Sequence, residues 1–584
     1  MEKELSDLVE SPKLSPVETM RHSCAHVMAH AITRLYPGAQ FGVGPHIEYG
    51  FYYDVLFPEP VTEEILPKIE AEMRKIIKEG IPFKRSVLSR DEALEYFRKL
   101  GQGFKLEIIK DLNLQSVSIY EEGDFTDMCT GPHVGKTSEI KAFKLTHMAG
   151  AYWRGSEKNP MLTRIYGLCF EKEQQLKDHL LMLEEAKKRD HRKLGKELDL
   201  FSFHQEAPAM PFFHAKGTVV YNELANLMRR LYKKYGYQEV ITPQILDLAL
   251  WHRSGHYENY RENMYFSKQD DRDVAVKPMN CPCHCLIFST KQHSYRELPI
   301  RMADFGRLHR YERSGVTAGL TRVRSFCQDD AHIFCTEDQI GSEVSQVVEM
   351  IREVYEIFGF SDPVVYLSTR PEKSVGSDAT WNKAEAFLAD ALKKNGLEYQ
   401  INAGDGAFYG PKIDFNVKDA IGRYFQLSTI QLDFSMPERF ELEFVGAENE
   451  RSRPVMIHRA VLGSLERFMG ILIEHCAGAF PFWVAPEQVR LVPISDAHVD
   501  YCMNFAAQLQ NIGIRCEVDA SKSSMGAKTR EAQMQKVPYM LAAGDREVQA
   551  GTFSMRKYGE KQSVTKNGDE LRELFSSLQS PLTK

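Results

Sequence analysis

Phe305-Gly306-Arg307-Leu308-His309-Arg310-Tyr311-Glu312, followed across a loop to Gly319 by Arg322-Val323-Arg324-Ser325-Phe326, is the stretch on which the fold turns. Alone it reads as an arginine–glutamate pair on a surface hairpin. Its setting changes that reading. Upstream lies Lys277-Pro278-Met279-Asn280-Cys281-Pro282. Downstream come Gln328-Asp329-Asp330-Ala331-His332-Ile333-Phe334 and Pro454-Val455-Met456-Ile457-His458-Arg459-Ala460. One cysteine and two histidines suffice to hold a zinc ion with a fourth position open. Arginine grips phosphate oxygens with a planar fork that never deprotonates. Candidate metal ligands interleaved with such arginines point to chemistry on a nucleotide.

Working outward, residues 199–484 form the largest block. Helices are expected over 219–235, 336–358 and 378–395, with strands at 364–368, 412–417 and 423–433. Long antiparallel-looking strands flanked by helices suggest an α+β sheet rather than a βαβ array. Residues 1–20 read as a polar leader. Residues 21–170 form an α+β block, with a strand at 50–55 and a helical run at 61–79 that opens on Thr62 as its cap. Residues 171–198 read as one charged linker helix, with Leu176, His179, Leu180, Leu183 and Ala186 at helical spacing. It ends in Lys187-Lys188-Arg189-Asp190-His191-Arg192-Lys193, a solvated face first and a strut against RNA phosphates second. Residues 485–584 alternate strand (489–494), helix (499–512), strand (515–518), helix (526–535) and strand (537–542), a small α/β domain.

The 584 residues are 43% hydrophobic and 27% charged, ordinary for globular protein, and long enough for several domains. The net charge of −7 excludes a globally basic nucleic-acid binder, so any RNA must meet local patches. Eleven cysteines without disulfide-like spacing, behind an N-terminus with no signal peptide, suit reduced thiols in a cytoplasm. The longest apolar stretch, 477–485, contains Pro481 and is too short to span a bilayer.

Motif by motif, the central block resembles the class II aminoacyl-tRNA synthetases, and most closely their threonyl members. The likeness runs from His22 onward and implies an antiparallel-sheet catalytic core. Tyr235-Gly236-Tyr237-Gln238-Glu239-Val240-Ile241-Thr242-Pro243 is similar to motif 1, which builds a homodimer interface. The opening stretch looks like motif 2. By that likeness Arg310 clamps the α-phosphate and the amino-acid carboxylate, Glu312 accepts from the adenine amino group, Phe326 stacks on the ring, and Arg322 joins the ATP site. Gly463-Ser464-Leu465-Glu466-Arg467-Phe468 resembles motif 3, with Arg467 on the γ-phosphate of a bent ATP. Gln426 is implied near the ribose or phosphate, and Mg²⁺ accompanies ATP.

Valine and threonine share a shape, so an apolar pocket separates them poorly, whereas a site that requires the hydroxyl separates them well. One zinc per subunit on Cys281, His332 and His458 answers that need by taking the amino group and hydroxyl of L-threonine. The resemblance sets Asp330 against the hydroxyl, with Gln328, Tyr409 and Gln431 around the amino acid. It adds Lys412 near carboxylate and phosphate, and His256 as a candidate for proton removal during acyl transfer to tRNA(Thr). One departure matters. The family usually has Asn-Cys-Pro-Gly-His, whereas this chain has Asn280-Cys281-Pro282-Cys283-His284-Cys285. Strand alternation is expected to turn Cys281, Cys283 and Cys285 to one face, the extra thiols either packing as small hydrophobes or entering the metal site.

Serine also carries a hydroxyl, and a missing methylene is worth only about 1–3 kcal/mol. A threonine enzyme therefore needs hydrolytic editing of seryl-tRNA. His22-Ser23-Cys24-Ala25-His26 and Asp127-Met128-Cys129-Thr130-Gly131-Pro132-His133 offer ligand-like spacing for a second zinc. They also resemble the family's editing domain, in which His22, His26, Asp127, Cys129 and His133 orient water without a fixed metal and Lys105 supplies a cation. Relatives carry a further small domain ahead of this one. Only about twenty residues precede His22 here, so that domain is either lacking in this lineage or outside this chain. The last block looks like an anticodon-binding domain, with Glu547 and Arg556 as base contacts. Two other readings compete: an RNA-binding regulator on a synthetase body, and a class II enzyme for serine or proline. Retention of Arg310, Glu312 and Arg467 opposes the first. The set Cys281, His332, His458 and Asp330 opposes the second.

Overall fold

The computed structural model describes residues 12–112 and 115–582 and divides into two compact units, Met1–Glu184 and Glu185–Lys584. All eleven cysteines are free thiols. Among the described residues, no helix is long and apolar enough to cross a membrane.

The first unit is built on the helix Pro16–Leu35. Ser15 and Glu18 cap it reciprocally, and Pro16 begins it where a missing N–H does no harm. Its interior residues Cys24 to Ile32 are buried almost without interruption, so it is a core helix rather than a surface one. It packs with Leu66–Glu79 against an antiparallel sheet of Gln40–Phe41, Gly50–Leu56, Met161–Phe170 and Ala142–Tyr152. A second sheet pairs Phe83–Ser89, Ser116–Glu122 and Phe125–Met128. The expected leader is shorter than 1–20, because residues 16–20 already belong to this helix; residues 1–11 lie outside the described residues. The helical run expected from Thr62 begins later. Glu63–Ile65 is a single 3₁₀ turn, the α-helix starts at Leu66, and Thr62 makes no capping bond. Pro67 is the cause: it fits an α-helix best in its first turn.

The expected single linker helix is two, Glu173–Arg189 and His191–Glu197, and the division between the units falls within the first. Asp190 leaves helical geometry and accepts from the Arg192 amide, which restarts the chain as a new helix.

The second unit centres on an eight-stranded sheet. Its six inner strands are antiparallel, in the order Ile300–Asp304, Asp330–Cys335, Val455–Ala460, Tyr424–Asp433, Lys412–Lys418 and Val364–Ser368. Short parallel strands, Gln238–Glu239 and Gln400–Asn402, close its edges. Helices Ala215–Tyr235, Ile340–Phe358 and Leu465–His475 contribute to the largest apolar core. Farther along, Cys516–Val518, Val489–Pro493 and Tyr539–Ala543 run parallel, as the alternating pattern implies. Two antiparallel strands, Thr552–Lys557 and Val564–Asn567, extend that sheet.

One expectation fails outright. Cys281–Phe288 is a helix, not a strand, so Cys281, Cys283 and Cys285 do not share a face. Pro282 sits in the first turn, where it favours a helix start. Cys285, four residues on, follows Cys281 around the same side and reaches Met456 Sδ at 3.8 Å. Cys283 is turned elsewhere, buried near Thr242 and Lys277.

Candidate active site

Sheet register creates the site. His332 lies directly opposite His458 on the next strand, His458 opposite Gln431, and Gln431 opposite Lys412. Directly opposed residues of antiparallel strands share a face. Four side chains therefore form one row across the sheet, and Asp330, two residues before His332, joins the same face. The helix Cys281–Phe288 delivers Cys281 from its first turn. The row floors a cleft of about 490 Å³ whose lining includes Cys281, Arg310, Gln328, Asp330, Tyr409 and Lys412.

The donor atoms of Cys281, His332 and His458 all lie within 4.8 Å of one another, and the three residues are buried. Neither Cys283 nor Cys285 belongs to this cluster. His332 Nε2 is 2.9 Å from His458 Nδ1. Burial first, then the neighbouring histidines, hold His332 well below the usual imidazole range, so it is neutral. Burial raises the Cys281 thiol well above its ordinary value, so a thiolate there needs a cation beside it. Soft sulfur and two imidazoles converging from buried residues match the donor chemistry of zinc.

Around this centre, Asp330 Oδ2 accepts from Asn280 Nδ2 at 3.0 Å, and burial raises the Asp330 carboxyl. Tyr409 donates its hydroxyl to Gln431 Oε1 and stacks on His458 at 4.6 Å between ring centroids. Lys412 pairs with Asp405 at 3.0 Å and Asp414 at 2.9 Å. Arg310 donates from Nε to the Pro278 carbonyl, and its guanidinium lies 5.0 Å from the Phe326 ring centroid.

The other motif residues lie outside that row. Glu312 accepts from Arg322 at 3.0 Å. Arg467 donates to the carbonyls of Gln426 and Thr321. Gln426 donates to Asp414 Oδ1 at 2.7 Å, so it is tied to the same carboxylate as Lys412.

His256 stands apart. It is wholly buried, with Nδ1 on Ser254 Oγ at 2.9 Å and Nε2 near Met279 Sδ and Cys281 Sγ. Burial pushes it down to about 3. Its neighbours Met279, Cys281 and Phe408 all line the cleft. Its ring packs edge-on against Trp251 and Phe408.

The first unit holds a second constellation. The donor atoms of His22, His26, Cys129 and His133 lie within 4.8 Å of one another. Helical spacing puts His22 and His26 on one side of Pro16–Leu35. Cys129 Sγ is 3.2 Å from His22 Nε2 and 3.3 Å from His133 Nε2. Beside them Lys105 Nζ pairs with Asp127 Oδ1 at 2.7 Å, both buried, and Tyr53 donates its hydroxyl to the other oxygen of that carboxylate. Burial pushes His22 down to about 4 and Cys129 up to about 12.

In the C-terminal sheet, Glu547 lies on the helix Asp545–Ala550, where it accepts from the Gly544 amide. Arg556 lies on Thr552–Lys557, opposite Met540.

Sequence reasoning did not single out three residues that touch the row. Asp433 accepts from His458 Nε2 at 3.0 Å, His284 Nδ1 meets His332 Nδ1 at 2.7 Å, and Asn280 holds Asp330. Asn280 and His284 flank Cys281 in the cysteine motif, the one available signal. Nothing in the sequence marks Asp433.

Comparison with known proteins follows the same division. Residues 260–476 match the tRNA synthetase class II core domain (G, H, P, S and T), and residues 488–578 the anticodon binding domain. Residues 117–166 match the threonyl and alanyl tRNA synthetase second additional domain. The chain is 54% identical over 543 residues to a threonine–tRNA ligase of Carboxydothermus hydrogenoformans, covering 93% of this chain and 86% of that one. It is also 54% identical over 539 residues to one of Clostridium acetobutylicum, covering 92% and 84%. Among solved structures, the RNA binding domain of threonyl-tRNA synthetase from Cryptosporidium parvum superposes with a TM-score of 0.65 at 42% identity, covering 67% of this chain and 98% of that one.

Proposed function

The chain belongs to the threonine–tRNA ligase family, and from that premise we propose which of its residues carry the chemistry. It is a ligase with a class II synthetase core, an anticodon-binding domain and an editing domain. The substrates are L-threonine, ATP with Mg²⁺, and tRNA(Thr). The setting is a cytoplasm and the assembly a homodimer. The division of labour runs from the editing domain at 21–170, through the linker at 171–198, to the catalytic domain at 199–484 and the anticodon-binding domain at 485–584.

Cys281, His332 and His458 would hold a zinc ion, which as a Lewis acid supplies a direct ligand position for an amino group and an alcohol. Asp330 accepts the proton of the substrate hydroxyl, and Asn280 keeps its carboxylate turned that way. Gln328, Tyr409 and Gln431 enclose the amino acid. Arg310 brings the threonine carboxylate and the α-phosphate together, which offsets the repulsion between two anions. Phe326 stacks on the adenine, Glu312 accepts from its amino group with Arg322 alongside, and Arg467 takes the γ-phosphate. Lys412 and Gln426, joined through Asp414, fix the carboxylate and ribose ends. The observation that carries this reading is the row His332–His458–Gln431–Lys412 with Cys281 brought to its end.

In the first unit, His22, His26, Cys129 and His133 orient a water against the ester of seryl-tRNA without a fixed metal, and the Lys105–Asp127 pair faces the ester or ribose. Glu547 and Arg556 read anticodon bases. Zinc counting on the purified protein, together with threonine-dependent pyrophosphate exchange, tests both halves. One zinc per chain with exchange supports them. No zinc removes the catalytic reading, and two zincs remove the metal-free editing reading.

A further inference from the structure

Two histidines can offer lone pairs to one cation only if each has its other nitrogen protonated, because a neutral imidazole carries one N–H and one bare nitrogen. His458 meets that condition through Asp433. The carboxylate accepts from His458 Nε2 at 3.0 Å, and its other oxygen takes the amides of Ser435 and Met436 at 2.7 and 2.9 Å, so it cannot turn away. His458 Nδ1 is therefore the bare nitrogen.

Among the described residues, no carboxylate meets the outer nitrogen of His332. Its Nδ1 meets His284 Nδ1 at 2.7 Å, with the rings at 85°. That contact holds a single proton. If His284 owns it, His332 Nε2 carries its own hydrogen and points it at His458. If His332 owns it, His284 Nδ1 accepts and His284 Nε2 carries the hydrogen. Without a cation the first arrangement is satisfied, because His332 Nε2 stands 2.9 Å from the bare His458 Nδ1 and 3.9 Å from Asp330 Oδ1; a cation held by both inner nitrogens requires the second, and the surroundings of His284 suit it. His284 is wholly buried, and its Nε2, without a hydrogen-bond partner among the described residues, lies 3.9 Å from Asp304 Oδ2. Asp304 is itself fixed by the Thr242 hydroxyl at 2.7 Å and by Lys277 Nζ at 3.5 Å. A buried carboxylate favours an N–H facing it over a lone pair. Asp304 thus favours the tautomer in which His284 Nδ1 accepts from His332 Nδ1. The inner nitrogens, His332 Nε2 and His458 Nδ1, then face one another at 2.9 Å as two lone pairs, an arrangement that needs a cation between them.

We propose that His284, backed by Asp304, is a positioning residue that fixes the tautomer of His332 so that Nε2 is presented to the zinc ion. The inference rests on the metal reading above and goes beyond it by assigning the ligand atoms and the residue that enforces them.

The test is zinc affinity of the full chain, measured by competition with a chromophoric chelator, for the unsubstituted protein, His284→Leu and His284→Asn. Leucine removes the acceptor, so affinity falls by roughly 10–100-fold. Asparagine places an amide oxygen where Nδ1 was, so affinity stays within about threefold. The metal-free Tm of His284→Asn and of His284→Leu agree, which separates tautomer control from packing. Should His284→Leu not fold, His284→Phe keeps the ring volume and removes the same acceptor. Zinc binding by the leucine or phenylalanine variant as tight as in the unsubstituted protein overturns the proposal. So does an equal loss in the asparagine variant. An unsubstituted protein that binds no zinc overturns the metal reading itself, a distinguishable result.

Discussion

Asn280 donates its side-chain amide to Asp330 Oδ2 at 3.0 Å, with both residues buried at the mouth of the helix that begins at Cys281. In the role proposed for Asp330, against the substrate hydroxyl, its carboxylate must not rotate, and this bond restrains it. Replacing Asn280 by alanine leaves Asp330 short of a donor, a loss of about 1–3 kcal/mol for a buried polar group. The expected outcome is a fall of roughly 10–100-fold in kcat/KM for threonine, with KM for ATP nearly unchanged. Steady-state exchange kinetics check it. A matching rise in KM for ATP contradicts it.

Arg310 lies over Phe326 and, among the described residues, donates one hydrogen bond, from Nε to the Pro278 carbonyl, which leaves its terminal nitrogens for ligands. Arg310→Lys keeps the charge and loses the planar fork. Pyrophosphate exchange is expected to drop by roughly 100-fold or more, the scale of losing a transition-state donor, with an unchanged circular dichroism spectrum.

Lys105 and Asp127 form a buried pair in the first unit, remote in sequence from the catalytic row. Lys105→Met is expected to abolish hydrolysis of seryl-tRNA while threonine activation stays within about twofold, since sites that share no partners behave independently. Deacylation of pre-formed seryl-tRNA, assayed beside exchange, separates the two activities.

Much of this was legible beforehand. The strand Val364–Ser368 has the length and β-branched content its segment promises, and Val499–Asn511 follows its apolar period. The cysteine segment misled because eight mostly apolar residues suit a strand or a helix equally; the proline in its first turn was the deciding signal. The linker hid its break because Asp190 sits inside an unbroken charged pattern. The individual residues of the row were readable as candidates from their motifs, but their alignment was not. Register between Asp330–Cys335, Val455–Ala460 and Tyr424–Asp433 is a non-local property that no window of sequence contains. Asp433 and the orientation of His284 depend on that register and stayed invisible for the same reason.

Burial pushes His22 down to about 4 and holds His26 and His133 well below the usual range. In the unfolded chain these imidazoles titrate near ~6.5. Between those values the unfolded state binds more protons, so stability is complete above pH ~6.5 and is lost as pH falls through the folded values. Hydrogen exchange in Pro16–Leu35, compared at pH 7 and pH 5, is expected to show weaker protection at the lower pH. His22→Gln should shrink that difference. An unchanged difference counts against the cluster as its source.

The central claim is that direct ligation by Cys281, His332 and His458 separates threonine from valine. Its most direct test is the ratio of threonine- to valine-dependent pyrophosphate exchange in the unsubstituted protein and in Cys281→Ala, with bound zinc counted in each. The account predicts a ratio of roughly 10⁴ or more with one zinc per chain, falling to roughly 10² or less, the limit of an apolar pocket, when Cys281 and the metal are gone. A metal-free Cys281→Ala protein that still rejects valine as well as before contradicts it.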